Sequence, residues 1–119
     1  NVPCFTSDYF PTIAHLLGID IEKYQRPYDG ENLAPYWRLE KKHRSSPIAF
    51  QFGKQFALIE NQFKLYGISD SPTQLFDLSI DPQERNDIAT EEPALFNRLL
   101  SEYTDWIVTI QTSQSGKDY

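Results

Sequence analysis

The chain has 119 residues, a formal net charge of −6, and 39% hydrophobic and 14% aromatic content. That length suits one small core burying roughly two-thirds of the unfolded chain's surface, and the composition is too apolar for a disordered segment. No apolar run is long enough for a membrane span, and the acidic overall field repels polyanions, which argues against nucleic acid as a partner.

Asn1-Val2-Pro3 carries no initiator Met and reads as the interior of a longer chain. Cys4, the single cysteine, cannot form an internal disulfide and reads as a small buried or interfacial hydrophobe. Thr6, Ser7 and Asp8 are capping residues, and Pro11 falls where a first helical turn tolerates a missing N–H. A short helix near 8–17 is predicted, with Phe10, Ile13, Ala14 and Leu17 as its apolar face and Gly18 as its stop. His15 sits beside that face and reads as a packed or surface side chain.

Residues 20–46 hold Pro27, Asp29-Gly30 and Pro35 with no sustained period, so they read as an irregular connector wrapping another surface. Leu33, Tyr36 and Trp37 can form one apolar turn within it. Arg38, Lys41, Lys42 and Arg44 form a basic run whose ordinary reading is a solvated loop.

From Pro47 the period becomes two. Ile48, Phe50 and Phe52 alternate; Gly53-Lys54 offers a turn; Phe56 to Ile59 make a second run; and Asn61-Gln62 offers another turn, since Asn tolerates positive φ. Phe63, Leu65 and Tyr66, then Gln74 to Leu78, complete a four-stranded antiparallel meander over 47–78. In Asp81-Pro82 the proline presets a turn, with Asp81 and Asn86 as acceptors for nearby amides, a structural account that needs no catalysis. Asp77 and Asp81 lack the third ligand that a metal would require. Leu95, Phe96, Leu99, Leu100, Tyr103, Trp106, Ile107 and Ile110 follow helical spacing over about 92–110, behind Thr90, Glu91, Glu92 and Pro93. This stripe can cover one sheet face, and the polar stretch beyond Gln111 reads as a frayed tail. The fold class is therefore α+β: a four-stranded antiparallel sheet against a long C-terminal helix, preceded by a short helix and an irregular connector.

The run Leu75-Phe76-Asp77-Leu78-Ser79-Ile80-Asp81-Pro82-Gln83-Glu84-Arg85-Asn86-Asp87-Ile88-Ala89 closely resembles the signature near the carboxyl end of type I sulfatases, within the alkaline phosphatase superfamily. Thr6-Ser7-Asp8-Tyr9-Phe10-Pro11-Thr12, Asp29-Gly30-Glu31-Asn32-Leu33, Pro47-Ile48-Ala49-Phe50 and Phe63-Lys64-Leu65 resemble further segments of that family, in family order, with Asn32 where a Ser is usual. The resemblance implies a parent hydrolase that cleaves sulfate esters with formylglycine and calcium, its catalytic residues lying in a large domain absent here. It implies that 1–46 end or wrap that domain and that 47–119 form the C-terminal subdomain closing one side of the substrate cleft. Periplasmic or secreted placement is expected of such a parent, and a sulfated small molecule or carbohydrate as its substrate.

Cys4-Phe5-Thr6-Ser7-Asp8 lacks the Pro or Ala and the Arg that surround the formylglycine cysteine, so Cys4 is not that residue. No catalytic or metal-binding residue and no cofactor is expected in this chain, whose partner would be the large domain. His43, Arg44, Gln51 and Lys54, at the edges of the first hairpin, are the candidates for lining the cleft. Two other readings stand beside this one. One is a free-standing interaction module docking through Leu33, Tyr36 and Trp37; the other is the C-terminal part of a phosphodiesterase or phosphonate hydrolase of the same superfamily.

Overall fold

The structure, a computed structural model, describes residues 2–24 and 28–116. The Pro27 turn and the last residues of the predicted tail, from Lys117, lie outside them. Thr6–Asp8 form a 3-10 turn leading into α1 (Tyr9–Leu16), and a second 3-10 turn spans Ile21–Tyr24. A single helical turn, α2 (Ala34–Trp37), precedes β1 (Ile48–Phe52), β2 (Gln55–Glu60), β3 (Phe63–Ile68), β4 (Gln74–Asp77) and the long α3 (Pro93–Gln114). The sheet is antiparallel in the order β1-β2-β3-β4, so each strand pairs with its neighbour in sequence. This is the expected α+β arrangement of meander and C-terminal helix. None of the described helices is long and apolar enough to cross a membrane.

The turns form where the sequence permits positive φ: Gly53 at +58° and Asn61 at +53°. The pairing sets Leu58 opposite Leu65 and Leu65 opposite Leu75, a row of leucines across three strands. Leu99 of α3 lies over this row, and all four are buried. Phe56 pairs with Gly67, and its ring occupies the space a side chain would take: a Cβ on Gly67 would sit 2.2 Å from the Phe56 ring. Tyr103 stacks on Phe56 at 3.9 Å between centroids, and Arg98 pairs bidentately with Glu60, so α3 runs along β2. Every member of the predicted α3 stripe is buried or half-buried.

Three differences from the sequence reading have physical causes. α3 continues past Gln111 to Gln114, sustained by the Thr112 hydroxyl donating to the Val108 carbonyl, and stops at Gly116 with φ +72°. The Ile48, Phe50, Phe52 alternation faces away from α3, because the pairing of Ala49 with Leu58 turns Ala49 and Gln51 toward the helix. The largest difference is in α1, whose predicted apolar face is exposed: Phe10, Ile13 and Leu17 are 56%, 54% and 68% accessible. Of the predicted face only Ala14 is buried, together with Pro11 and Thr12, because the connector packs on that side.

Candidate functional site

The connector is fastened to α1 by a buried polar cluster around Asp8. Its carboxylate accepts hydrogen bonds from the Phe5 amide at 2.9 Å, the Glu31 amide at 2.7 Å, and Arg44 Nη1 and Nη2 at 2.8 and 3.0 Å. Both partners are buried, Asp8 fully and Arg44 at 6% exposure. Burial by itself would raise the Asp8 pKa, but the Arg44 guanidinium and the two amides outweigh it and hold the carboxyl below its ordinary value. The Arg44 guanidinium also lies over the Phe5 ring, which meets Phe50 of β1 edge-on, so the cluster reaches the sheet.

Around it, the Thr12 hydroxyl donates to the Asp8 carbonyl and accepts from the Leu33 amide. Glu31 accepts from the Ser45 and Ser46 amides and from the Tyr36 hydroxyl. Burial, the hydrogen bond to Glu31 and the Glu31 charge push the Tyr36 phenol up to about 12. Gly30 is required by close approach: a Cβ there would lie 2.0 Å from the Ser7 carbonyl oxygen. The segments Thr-x-Asp-x-x-Pro-Thr and Asp-Gly are thus two halves of one hydrogen-bonded unit.

The cleft candidates fall in different places. Arg44, expected in a solvated connector, is buried as the counter-ion of Asp8, where an otherwise uncompensated carboxylate requires it. His43 is exposed and borders a groove of about 660 Å³ with Trp37, Leu39, Lys41, Lys42 and Asn61. Gln51 lines a separate groove of about 490 Å³ with Trp106, Ile107 and Ile110 of α3. Lys54 is exposed at the first turn, paired with Asp70 at 3.4 Å. The Arg44 amide binds Asn61 at the β2–β3 turn, whereas Lys54 sits at the far end of β2, roughly 17 Å of strand away. Of the four, His43 alone lies on a surface where aromatic, cationic and amide side chains meet.

Leu33, Tyr36 and Trp37, the docking patch read from the sequence, line that same groove, although Leu33 and Tyr36 are largely buried and only Trp37 is exposed. Cys4 is likewise exposed, on the rim of the same groove. The sequence reading missed the roles of Asp8, Glu31 and Thr12. Their signal was present in the motifs themselves, whose spacing carries no indication that two segments over twenty residues apart bond to each other.

The turn after β4 is tied by carboxylates. Asp81 accepts from the Arg85 and Asn86 amides, four and five residues on, and Asp87 accepts from the Leu75 and Ala89 amides in the role expected of Asn86. Calcium and formylglycine do not fit the residues described. Among them no three His, Cys, Asp or Glu side chains gather as ligands, the Asp8 oxygens are taken up by Arg44 and backbone amides, and Cys4 has the wrong neighbours.

No protein-family model matches the chain. In an alignment 93 residues long that covers 73% of this chain, it is 30% identical to a choline-sulfatase of Rhizobium meliloti (strain 1021), of which it spans 18%. A protein crystallised in complex with k-i-k-neocarrahexaose matches at 30% identity with a TM-score of 0.73, covering 83% of this chain and 23% of that one. A Bacteroides thetaiotaomicron protein from work on glycosaminoglycan metabolism shares the fold at 22% identity and a TM-score of 0.60, with 88% and 24% covered. The chain is therefore similar, in sequence and in fold, to a limited part of sulfatases, as its motifs implied.

Proposed function

We propose that these residues are the C-terminal portion of a sulfatase, inert alone, which complete the fold of a larger catalytic domain and form one wall of its substrate cleft. The observation that carries this reading is the likeness to a choline-sulfatase over 73% of the chain but only 18% of that protein. The exposed α1 face supports it: Tyr9, Phe10, Ile13, Leu16 and Leu17 present more apolar surface on one short helix than a free-standing surface helix does. The large domain is the partner that would cover it.

The groove beside His43 is the part of the chain suited to substrate. Lys41 and Lys42 offer charge and His43 a ring N–H donor to a sulfate group, and Trp37 offers a flat apolar face to a sugar ring or a quaternary ammonium. The matches to a choline-sulfatase and to a protein solved with a carrageenan-type oligosaccharide support a sulfated small molecule or carbohydrate as substrate. Calcium and formylglycine would be supplied by the larger domain.

The test is hydrolysis of a generic aryl sulfate, choline sulfate, a sulfated oligosaccharide and an aryl phosphodiester by the full-length reading frame and by this chain, each coexpressed with a formylglycine-generating enzyme and assayed with calcium. Activity in the longer protein alone is expected. Lys42→Ala with His43→Ala should then raise KM for the natural substrate about tenfold while altering kcat little. Turnover by the 119-residue chain itself, or a phosphodiester preferred over every sulfate ester, overturns the reading.

A further inference from the structure

Asn61 turns the chain between β2 and β3 at φ +53°, and its Oδ1 accepts from the Arg44 amide at 2.8 Å. That bond fastens the basic loop to the end of the sheet at the residue following His43. It also fixes which way the carboxamide faces. Only the oxygen can accept from an N–H, so Nδ2 is turned away from the Arg44 amide with both of its donors. Among the described residues nothing accepts from them, and Asn61, half-buried, lines the groove of about 660 Å³ beside His43. Several neighbours in that groove are already engaged: the Ser79 hydroxyl donates to Asp77, the Tyr36 hydroxyl to Glu31 and Lys41 Nζ to Ser45.

A choline ester and a sulfated carbohydrate make opposite demands on this groove. Its lining includes two lysines and, among the described residues, no carboxylate, so the local field opposes a quaternary ammonium. The methyl groups of choline accept no hydrogen bond and would cover the Asn61 donors without pairing them. Ring hydroxyls or a further sulfate group can accept from Nδ2 while Lys42 balances the charge. We propose that Asn61 is a specificity-determining residue of this groove, its side-chain N–H donating to an oxygen of a sulfated carbohydrate and disfavouring a choline ester. The assignment rests on the sulfatase reading and names the substrate class for the same surface.

The test uses the full-length parent, prepared as above and assayed on choline sulfate, a carrageenan hexasaccharide and a heparin disaccharide. Asn61→Asp keeps an acceptor for the Arg44 amide and tolerates positive φ, so its melting temperature should match the parent's. Asn61→Gly suits the same φ and removes the donor without adding charge. The parent should prefer a sulfated sugar to choline sulfate by kcat/KM. Both variants should raise KM for that sugar about tenfold with little change in kcat, and neither should raise KM for choline sulfate. Preference for choline sulfate, or an unchanged KM for the sugar in both variants, overturns the proposal. So does an equal rise for both substrates, which would leave Asn61 only the task of holding the loop. A parent that hydrolyses no sulfate ester fails the sulfatase reading instead, and calorimetric titration of the two sugars then decides the role of Asn61. Binding about tenfold weaker in Asn61→Asp upholds it; equal or absent binding overturns it.

Discussion

Asp8 and Arg44 show how far a side chain's role depends on its partner. Separately, Asp8 reads as a helix cap and Arg44 as one cation of a basic loop; together they form a buried ion pair 36 residues apart in sequence. Asp8→Asn leaves the buried guanidinium with only the more distant Glu31 carboxylate at 4.0 Å, and we expect a loss of about 3 kcal/mol in urea-induced unfolding. Replacing both with apolar residues of similar volume should cost less than the sum of the single changes. The pair also sets an acid limit. The folded carboxylate has a lowered pKa, so its stabilisation is complete above the unfolded value near 4 and fades as pH falls through the folded value. Tyr36 sets an alkaline limit of opposite sense. Its phenol is held protonated to about 12, so its contribution is present below pH 10 and lost between 10 and 12. Melting temperature measured against pH should show both limbs, and Tyr36→Phe should reduce the alkaline one.

At the scale of elements, periodicity was informative where one face is buried by the chain itself. The α3 stripe and the turns at Gly53 and Asn61 were legible because burial against a sheet enforces helical spacing and positive φ selects Gly or Asn. Leu99, at the centre of the leucine row, should lose about 2–5 kcal/mol on Leu99→Ala, whereas Val108→Ala on the exposed side should lie within about 0.5 kcal/mol, both read by chemical denaturation. In α1 the same periodicity was real, but most of the face it marked is turned outward, since a hydrophobic pattern marks a face without saying what lies against it. The polar connector was legible as irregular but not as buried: hydrogen bonds between distant side chains leave no period in a sequence. For that reason His43 could be placed among candidates for a site, while Arg44 could not be told apart from it.

For the whole molecule, the outward α1 face predicts a contrast between this chain and a longer parent. Ile13→Glu with Leu17→Glu should leave the unfolding free energy of the 119-residue chain nearly unchanged and raise its solubility, because both side chains are more than half exposed. In the longer protein, the same pair should depress the melting temperature and the yield of active enzyme. Equal destabilisation in both contexts would show that the face is covered by the chain itself. The neighbour-to-neighbour strand order also has a kinetic consequence. A meander closed by short turns needs little loop entropy, whereas the Asp8–Arg44 pair must wait for a much longer loop to close. The sheet and α3 should therefore form first, with the N-terminal segment docking afterward. Substitutions around Asp8 would then steepen departure from the native state while leaving the refolding rate almost untouched, a signature confined to the unfolding arm of a chevron plot.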